Sequence, residues 1–188
     1  PAAACIGPPQ RSAGRIGRRP AGPVRVFCGP VELFHGDDLR RAGAVVLGTE
    51  VGYANGPDRA PSYREVCADS GHVETLKIEY DETRLPLRKL LDLYFLVIDP
   101  FSVNRQGHDQ GIQYRTGIYY PEDADRAEIE AVYKNKEADE GGKFAVELSR
   151  LKNFFPAEEY HQKYLQKNPG GYCHIPTHYF SIAKNKKE

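Results

Sequence analysis

Four cysteines are the residues of this chain best suited to covalent or redox chemistry. They are Cys5, Cys28, Cys67 and Cys173, far apart and without a Cys-x-x-Cys pair. This spacing is too sparse for a disulfide scaffold in a chain of 188 residues, so we expect reduced or redox-active thiols. A thiolate can act as a nucleophile or as a metal ligand, and both chemistries are considered below.

Cys28 occupies a position that should lower the pKa of a thiol. Residues 24–27 predict a short strand, and the Gly-Pro pair at 29–30 predicts the start of a helix that runs to about residue 41. A cysteine just ahead of a helix lies at the positive end of the helix dipole, near free N–H groups that stabilise the thiolate. The position favours Cys28 as a nucleophile.

The elements that must position these groups alternate between strands and helices. Further strands are predicted at 44–53, 74–81, 113–120 and 143–148, and further helices at 86–98, 123–138 and 156–166. The clearest strand places Leu76, Ile78 and Tyr80 on one face. The order predicts an α+β fold: a ferredoxin-like βαββαβ core in two layers, then a C-terminal helix and strand extension and a glycine-rich C-terminal loop.

Composition limits the domain organisation. Residues 1–23 are basic and poor in large apolar side chains, which predicts a disordered leader, and residues 184–188 predict a solvated tail. Residues 24–183 are expected to form one domain. We expect a cytoplasmic monomer, although the arginine-rich leader leaves organellar targeting open.

Charge and hydropathy argue against nucleic acid and membranes as partners. Basic and acidic residues number 26 each, so no net charge attracts nucleic acid or an anionic membrane surface. The longest apolar candidate, residues 85–98, contains Arg88, Lys89 and Asp92, which argues against a membrane span.

The most informative stretches follow one another between residues 50 and 175. They are GYANG at 52–56, PSYREVC at 61–67, GHVE at 71–74, NRQGHDQG at 104–111, QYRT at 113–116, FPAEEYHQKYL at 155–165 and KNPGGYC at 167–173. In residue types, order and spacing, this series resembles the A-type peptide methionine sulfoxide reductases.

The resemblance implies reduction of the S epimer of methionine sulfoxide without a metal or organic cofactor. A thiolate attacks the sulfoxide sulfur and becomes a sulfenic acid. A second cysteine then forms a disulfide, which a thioredoxin-type donor or another dithiol reduces. Oxidised proteins and peptides are the implied substrates.

The resemblance also implies a role for each site residue. Cys28 corresponds to the nucleophile and Cys173 to the resolving cysteine. A sulfoxide is a poor electrophile until its oxygen is protonated or strongly hydrogen-bonded, so the site needs an acid beside hydroxyl donors. Glu74 matches the proton donor. The remaining matches are Tyr63 and Tyr114 at the sulfoxide oxygen, Asp109 in the same polar pocket, and Phe27 and Glu32 in the substrate pocket.

The segment around Cys28 departs from the family pattern. The family carries Gly-Cys-Phe-Trp there, whereas this chain has FCGPVELF at 27–34 and no tryptophan. The interval from Cys28 to Glu32 is one residue short. An alternative hypothesis is therefore a catalytically impaired relative that binds oxidised methionyl peptides.

A second alternative is a zinc site built from Cys67, His72, Cys173, His174 and His178, whose spacing fits no strong zinc pattern. Taken singly, Cys67 is expected to be a buried small apolar residue, and His72 and His161 are expected to be structural.

Overall fold

The computed structural model describes residues 24–29 as a strand, and residues 46–168 and 170–171 in full. The predicted leader, the predicted first helix and the predicted C-terminal tail lie outside the described residues. Within the described part the strands are β1 Val24–Gly29, β2 Val46–Ala54, β3 Val73–Tyr80, β4 Arg105–Gln106, β5 Asp109–Gln110, β6 Gly117–Tyr120, β7 Glu147–Arg150 and β8 Phe154–Pro156. The helices are α1 Tyr63–Cys67, α2 Leu87–Val97, α3 Asp123–Glu140 and α4 Tyr164–Lys167, with a 3-10 turn at Ile112–Tyr114.

One mixed sheet organises the fold. Its strand order is β7-β6-β1-β3-β2-β8, and β4 and β5 form a separate small hairpin. Strand β3 is antiparallel to both β1 and β2, and β6 is antiparallel to β1 and parallel to β7. The carboxyl ends of β1 and β2 therefore lie at the same edge of the sheet as the amino ends of β3 and β6.

The main core lies between one face of the sheet and helices α2 and α3. Leu76, Ile78 and Tyr80 are almost completely buried, as their alternation along β3 predicts. They pack with Leu90 of α2 and Ile129 of α3 in one apolar cluster. This packing holds β3 in place, and β3 carries the predicted acid at its amino end.

The predicted helix at 86–98 and the predicted helix at 123–138 are confirmed by α2 and α3. Pro86 immediately precedes α2, and Gly141 ends α3 in the left-handed conformation, with φ of 71°. No helix among the described residues is both long enough and apolar enough to cross a membrane.

The prediction of a continuous strand at 113–120 is wrong for its first residues. Gly111 has φ of 146°, and its carbonyl accepts a hydrogen bond from Tyr114 N–H at 3.0 Å. The backbone turns there, and strand β6 begins only at Gly117. The predicted strand at 143–148 is also displaced, because Phe144 packs in an aromatic cluster and β7 begins at Glu147.

The prediction of a helix at 156–166 is wrong over most of its length. Pro156 ends strand β8, and Lys163 adopts a left-handed conformation with φ of 54°, so only Tyr164–Lys167 is helical. The side chain of Gln162 explains the alternative path. Its amide forms hydrogen bonds with both the backbone N–H and the backbone carbonyl of Val51 in β2. These bonds keep residues 157–162 along the edge of the sheet.

Candidate active site

Glu74 lies at the sheet edge where the predicted site residues should meet. It is the second residue of β3, is half-buried, and is paired in register with Tyr53 of β2. Strand β1 ends beside it: Cys28 is in register with Leu76 of β3 and with Ile118 of β6. The backbone of Cys28 thus lies near the carboxyl end of β1. Its partner in β3, Leu76, is two residues after Glu74.

Tyr63 begins α1, the short helix that follows the loop after β2. Ser62 caps this helix: the Glu65 carboxylate accepts a hydrogen bond from Ser62 N–H at 2.8 Å, and the Ser62 hydroxyl accepts one from Glu65 N–H. A 2.7 Å ion pair with Arg59 further fixes Glu65. The turn of helix places the Tyr63 ring at the surface, 37% exposed, beside the ring of His161.

Tyr114 ends the 3-10 turn ahead of β6, and Arg115 anchors this turn. The Arg115 guanidinium donates to the carbonyl oxygens of Ile112 at 2.8 Å and of Gly71 at 3.1 Å. It also pairs with Glu147 at 3.0 Å. Because Gly71 lies just before β3, Arg115 ties the turn that carries Tyr114 to the segment that leads into Glu74.

The negative charge of Glu74 acts on both phenols, Tyr63 and Tyr114. Burial, followed by the negative charges of Glu74 and Asp109, raises the pKa of Tyr114 to about 12. The pKa of Tyr63 is also raised, first by a hydrogen bond to Cys67, then by burial and by charges that include Glu74. Both phenols therefore keep their protons at neutral pH and remain hydrogen-bond donors. An acid beside two hydroxyl donors is an arrangement that can polarise a bound oxygen atom.

Cys67 corrects one prediction, because it is exposed and carries a free thiol rather than lying buried. It is the last residue of α1, and Val66 is the buried residue of that helix. Cys67 lies one helical turn from Tyr63, so its side chain faces the same way as the tyrosine. The polar pocket thus has a thiol at its margin that sequence analysis assigned to the core.

His72 and His161, both expected to be structural, lie in different surroundings. His72 is buried, with Nδ1 2.9 Å from the Ser70 hydroxyl and Nε2 3.1 Å from the Pro57 carbonyl oxygen. Burial lowers its pKa. This neighbourhood supports the expected structural role. His161, by contrast, packs edge-on against the Tyr63 ring, with ring centroids 4.6 Å apart.

Sequence analysis missed a partly buried carboxylate that contacts the backbone of Tyr63. Tyr53 is almost completely buried in β2 and donates its hydroxyl to Glu158 Oε2 at 2.7 Å. The other oxygen, Oε1, accepts from Tyr63 N–H at 2.9 Å. The only sequence signal was the match of residues 155–165 as a block, since these partners are about a hundred positions apart in the chain.

For several predicted site residues, no side-chain position is described. Glu32 and Cys173 lie outside the described residues, and Phe27 and Cys28 are described only as members of strand β1. Of the residues in the zinc hypothesis, Cys173, His174 and His178 are likewise outside. Within the described part of the chain, no three His, Cys, Asp or Glu side chains are grouped so that they could hold a metal ion.

Comparisons with known proteins identify the family of this chain. The family model for peptide methionine sulfoxide reductase matches residues 37–188, a range that begins after Cys28. The peptide methionine sulfoxide reductase MsrA of Lachnoclostridium phytofermentans is 55% identical over 141 residues, which cover 74% of this chain and 85% of that protein. MsrA of Clostridium acetobutylicum is 55% identical over 135 residues, covering 70% of this chain and 82% of the relative.

Solved structures show the same likeness in three dimensions. Mxr1 from Saccharomyces cerevisiae in reduced form has a TM-score of 0.73 and 34% identity, and the match covers 84% of this chain and 92% of that one. Methionine sulfoxide reductase A of Corynebacterium diphtheriae has a TM-score of 0.69 and 34% identity, with 81% and 78% covered. The chain therefore belongs to the peptide methionine sulfoxide reductase family, a family of oxidoreductases.

Proposed function

We propose that this reductase acts on methionine-S-sulfoxide in proteins and peptides, using Cys28 as nucleophile and the pocket of Glu74, Tyr63, Tyr114 and Asp109 to activate the sulfoxide. The observation that carries the proposal is the convergence at one sheet edge: β1, which contains Cys28, ends near the start of β3, whose second residue is Glu74. The carboxylate charges that act on the two phenols support a single polar pocket there.

The chemical steps follow from these groups. Tyr63 and Tyr114 donate hydrogen bonds to the sulfoxide oxygen, and Glu74 supplies a proton as the thiolate sulfur of Cys28 attacks the sulfoxide sulfur. The sulfoxide S–O bond breaks as the oxygen is transferred to the cysteine sulfur, so that methionine sulfoxide is reduced by two electrons to methionine and Cys28 becomes a sulfenic acid. Cys173 then attacks this sulfur, which forms a disulfide and releases water.

We propose that a thioredoxin-type dithiol reduces the disulfide and completes the cycle. Mxr1, to which this chain is similar, has been solved in complex with Trx2. Thiol chemistry of this kind needs no metal or organic cofactor. The sparse cysteines favour a reducing compartment, and we propose a monomer in the cytoplasm.

We also propose a more specific fold than the described residues show by themselves. Strands β6, β1, β3 and β2 lie side by side with antiparallel neighbours. With a helix connecting β1 to β2, this would be the ferredoxin-like core expected from the sequence. We propose that residues 30–41 provide that helix and place Cys28 at its amino end, with Phe27 and Glu32 near the substrate. The glycine-rich segment at 167–173 would then bring Cys173 to the sulfenic acid.

The test is reduction of a methionine-S-sulfoxide peptide by the purified chain with dithiothreitol, with the R epimer as control. We expect turnover of the S epimer alone and no turnover in Cys28→Ser. Cys173→Ser should complete one reduction and then stall with a monothiol donor. Full activity in Cys28→Ser would overturn the assignment of the nucleophile.

The alternative of a relative that only binds oxidised peptides rests on the atypical segment around Cys28, and the comparisons do not favour it. A folded protein that binds the S-sulfoxide peptide without reducing it would restore that alternative.

A further inference from the structure

Tyr63 is carried by a helix that is too short to fix its own position. Helix α1 has five residues, and an isolated helix of this length is not stable in water. Its capping box joins Ser62 to Glu65 within the same turn, and its one buried residue, Val66, packs against Tyr53 of the sheet. Within α1, the Tyr63 side chain is hydrogen-bonded to Cys67. Contacts from another part of the chain add to this interaction and hold the helix itself.

Glu158 provides a hydrogen-bonded connection from the first residue of α1 to the sheet, beside the apolar packing of Val66. Its Oε1 accepts from Tyr63 N–H at 2.9 Å, and its Oε2 accepts from the Tyr53 hydroxyl at 2.7 Å. Tyr53 is fixed because it lies in β2 between β3 and β8 and is buried. One carboxylate thus bridges the first residue of a surface helix and the interior of the sheet.

The segment that carries Glu158 is itself fixed to β2. Gln162 accepts from Val51 N–H at 2.9 Å and donates to the Val51 carbonyl at 2.8 Å. The same amide donates to the Ala157 carbonyl at 3.0 Å. Between Glu158 and Gln162, the ring of His161 contacts the Tyr63 ring and its Nδ1 lies 3.3 Å from the Tyr53 hydroxyl. Tyr63 is therefore held at its backbone and at its ring by one segment.

The charge of Glu158 suits a residue that only accepts hydrogen bonds. Partial burial raises the pKa of its carboxyl group, but hydrogen bonds from Tyr53, from its own backbone N–H and from Tyr63 N–H lower it more, so the net shift is downward. An ionised carboxylate has no proton to donate, and its two oxygens match the two donors that face it.

We propose that Glu158 is a positioning residue, which holds Tyr63 in the orientation that donates to the sulfoxide oxygen. The inference rests on the role of Tyr63 in the proposed function. Glu158 acts through Tyr63 and not on the substrate, so its loss should affect the reaction only while the Tyr63 hydroxyl is present.

A double-mutant cycle tests this coupling. Tyr63→Phe and Glu158→Ala should each lower kcat for the S-sulfoxide peptide by about 10²-fold, since a misplaced donor costs about as much as a missing one. The double variant should be within about 3-fold of either single variant, because both remove the same interaction. Glu158→Gln, which keeps an oxygen for Tyr63 N–H, should restore most of the activity.

The matched control is Glu159→Ala. Glu159 is the next residue in the chain, is 90% exposed, and pairs with Lys167 at 2.9 Å. This variant should keep wild-type kcat. Additive effects in the cycle would mean that Glu158 acts independently of Tyr63, and would overturn the inference. Loss of activity in Glu158→Ala but not in Tyr63→Phe would overturn the role of Tyr63 in the proposed function, and the inference with it.

Amide hydrogen exchange provides a test that needs no turnover. Glu158→Ala should speed exchange at Tyr63 N–H and along α1, with protection of β3 unchanged as evidence that the variant is folded. Glu159→Ala should exchange like the wild type. Unchanged exchange at Tyr63 in a folded Glu158→Ala protein would overturn the inference even if the proposed function is correct.

Discussion

Tyr63 and Tyr114 have pKa values raised above that of an ordinary tyrosine, so their hydroxyls stay neutral to higher pH. A hydrogen bond to Cys67 raises the pKa of Tyr63 most, and burial raises that of Tyr114 most; the negative charge of Glu74 adds to both. A phenol that stays neutral can donate to an oxygen atom throughout the physiological range. At the scale of single residues, this is the property that activation of a sulfoxide requires.

If Glu74 is the acid as proposed, its replacement should slow the chemical step. Glu74→Gln keeps the shape of the side chain but removes a proton donor, which typically costs about 10²-fold or more. Single-turnover reduction of the S-sulfoxide peptide measures this step separately from disulfide recycling. Glu79→Gln, on the same strand but away from the pocket, is the matched control. An unchanged single-turnover rate in Glu74→Gln would remove it as the acid.

The raised pKa of Tyr114 predicts a specific titration. An ordinary tyrosine, with a pKa of 10.0, is half ionised at pH 10, whereas Tyr114 with a pKa of about 12 is neutral there. The phenolate absorbance of the wild type minus that of Tyr114→Phe should therefore be near zero at pH 10 and rise only at higher pH. A difference signal of half a tyrosine at pH 10 would contradict the pocket described here.

At the scale of elements, the segment after β8 acts as an extension of the sheet edge. Gln162 uses its side-chain amide to satisfy the N–H and C=O of Val51, as a neighbouring strand would. This substitution of a side chain for a strand explains why a stretch with a helical pattern runs along β2 instead. It also places Glu158 and His161 against Tyr63.

Gln162→Ala should destabilise the fold as well as the site. The change leaves Val51 N–H without its acceptor, at a cost of about 1–3 kcal/mol for a partly buried group. Urea denaturation should show the loss, and Gln110→Ala, at an exposed position in β5, should not. Equal stability of the two variants would mean that the amide contributes nothing at this edge.

At the scale of the whole molecule, buried His72 links folding stability to pH. Its pKa is lowered in the folded state, chiefly by burial, whereas the unfolded chain takes up the proton near the ordinary value of 6.5. The unfolded state therefore binds more protons below that pH, and stability falls with acidification. Above pH 6.5 the contribution of His72 is constant.

The measurement is the free energy of unfolding between pH 7.5 and pH 5.5 for the wild type and for His72→Asn. The variant is expected to be less stable at neutral pH but to lose less stability on acidification, with a slope lower by up to about one proton. Parallel curves for the two proteins would show that another group is responsible for the acid dependence.

Local sequence patterns were sufficient for the elements whose residues make contacts near in sequence. Alternating burial along β3 and the helical spacing of α2 are properties of a few neighbouring residues, and both predictions are confirmed. The family was also recognisable from the series of motifs between residues 50 and 175, because residue types and their order along the chain can be read without knowledge of the fold. The segment around Cys28 had no such match, and the family match also begins after it.

The tertiary structure decided the contacts between distant residues. Glu158 and Gln162 reach Tyr53, Tyr63 and Val51 across about a hundred positions, and no local pattern contains these hydrogen bonds. The same is true of the exposure of Cys67, which depends on how α1 packs. Sequence by itself therefore determined the family and the elements with a clear local pattern, such as β3, α2 and α3. Folding determined which side chains from residues 157–162 support Tyr63, because those side chains become its neighbours only when the sheet edge is assembled.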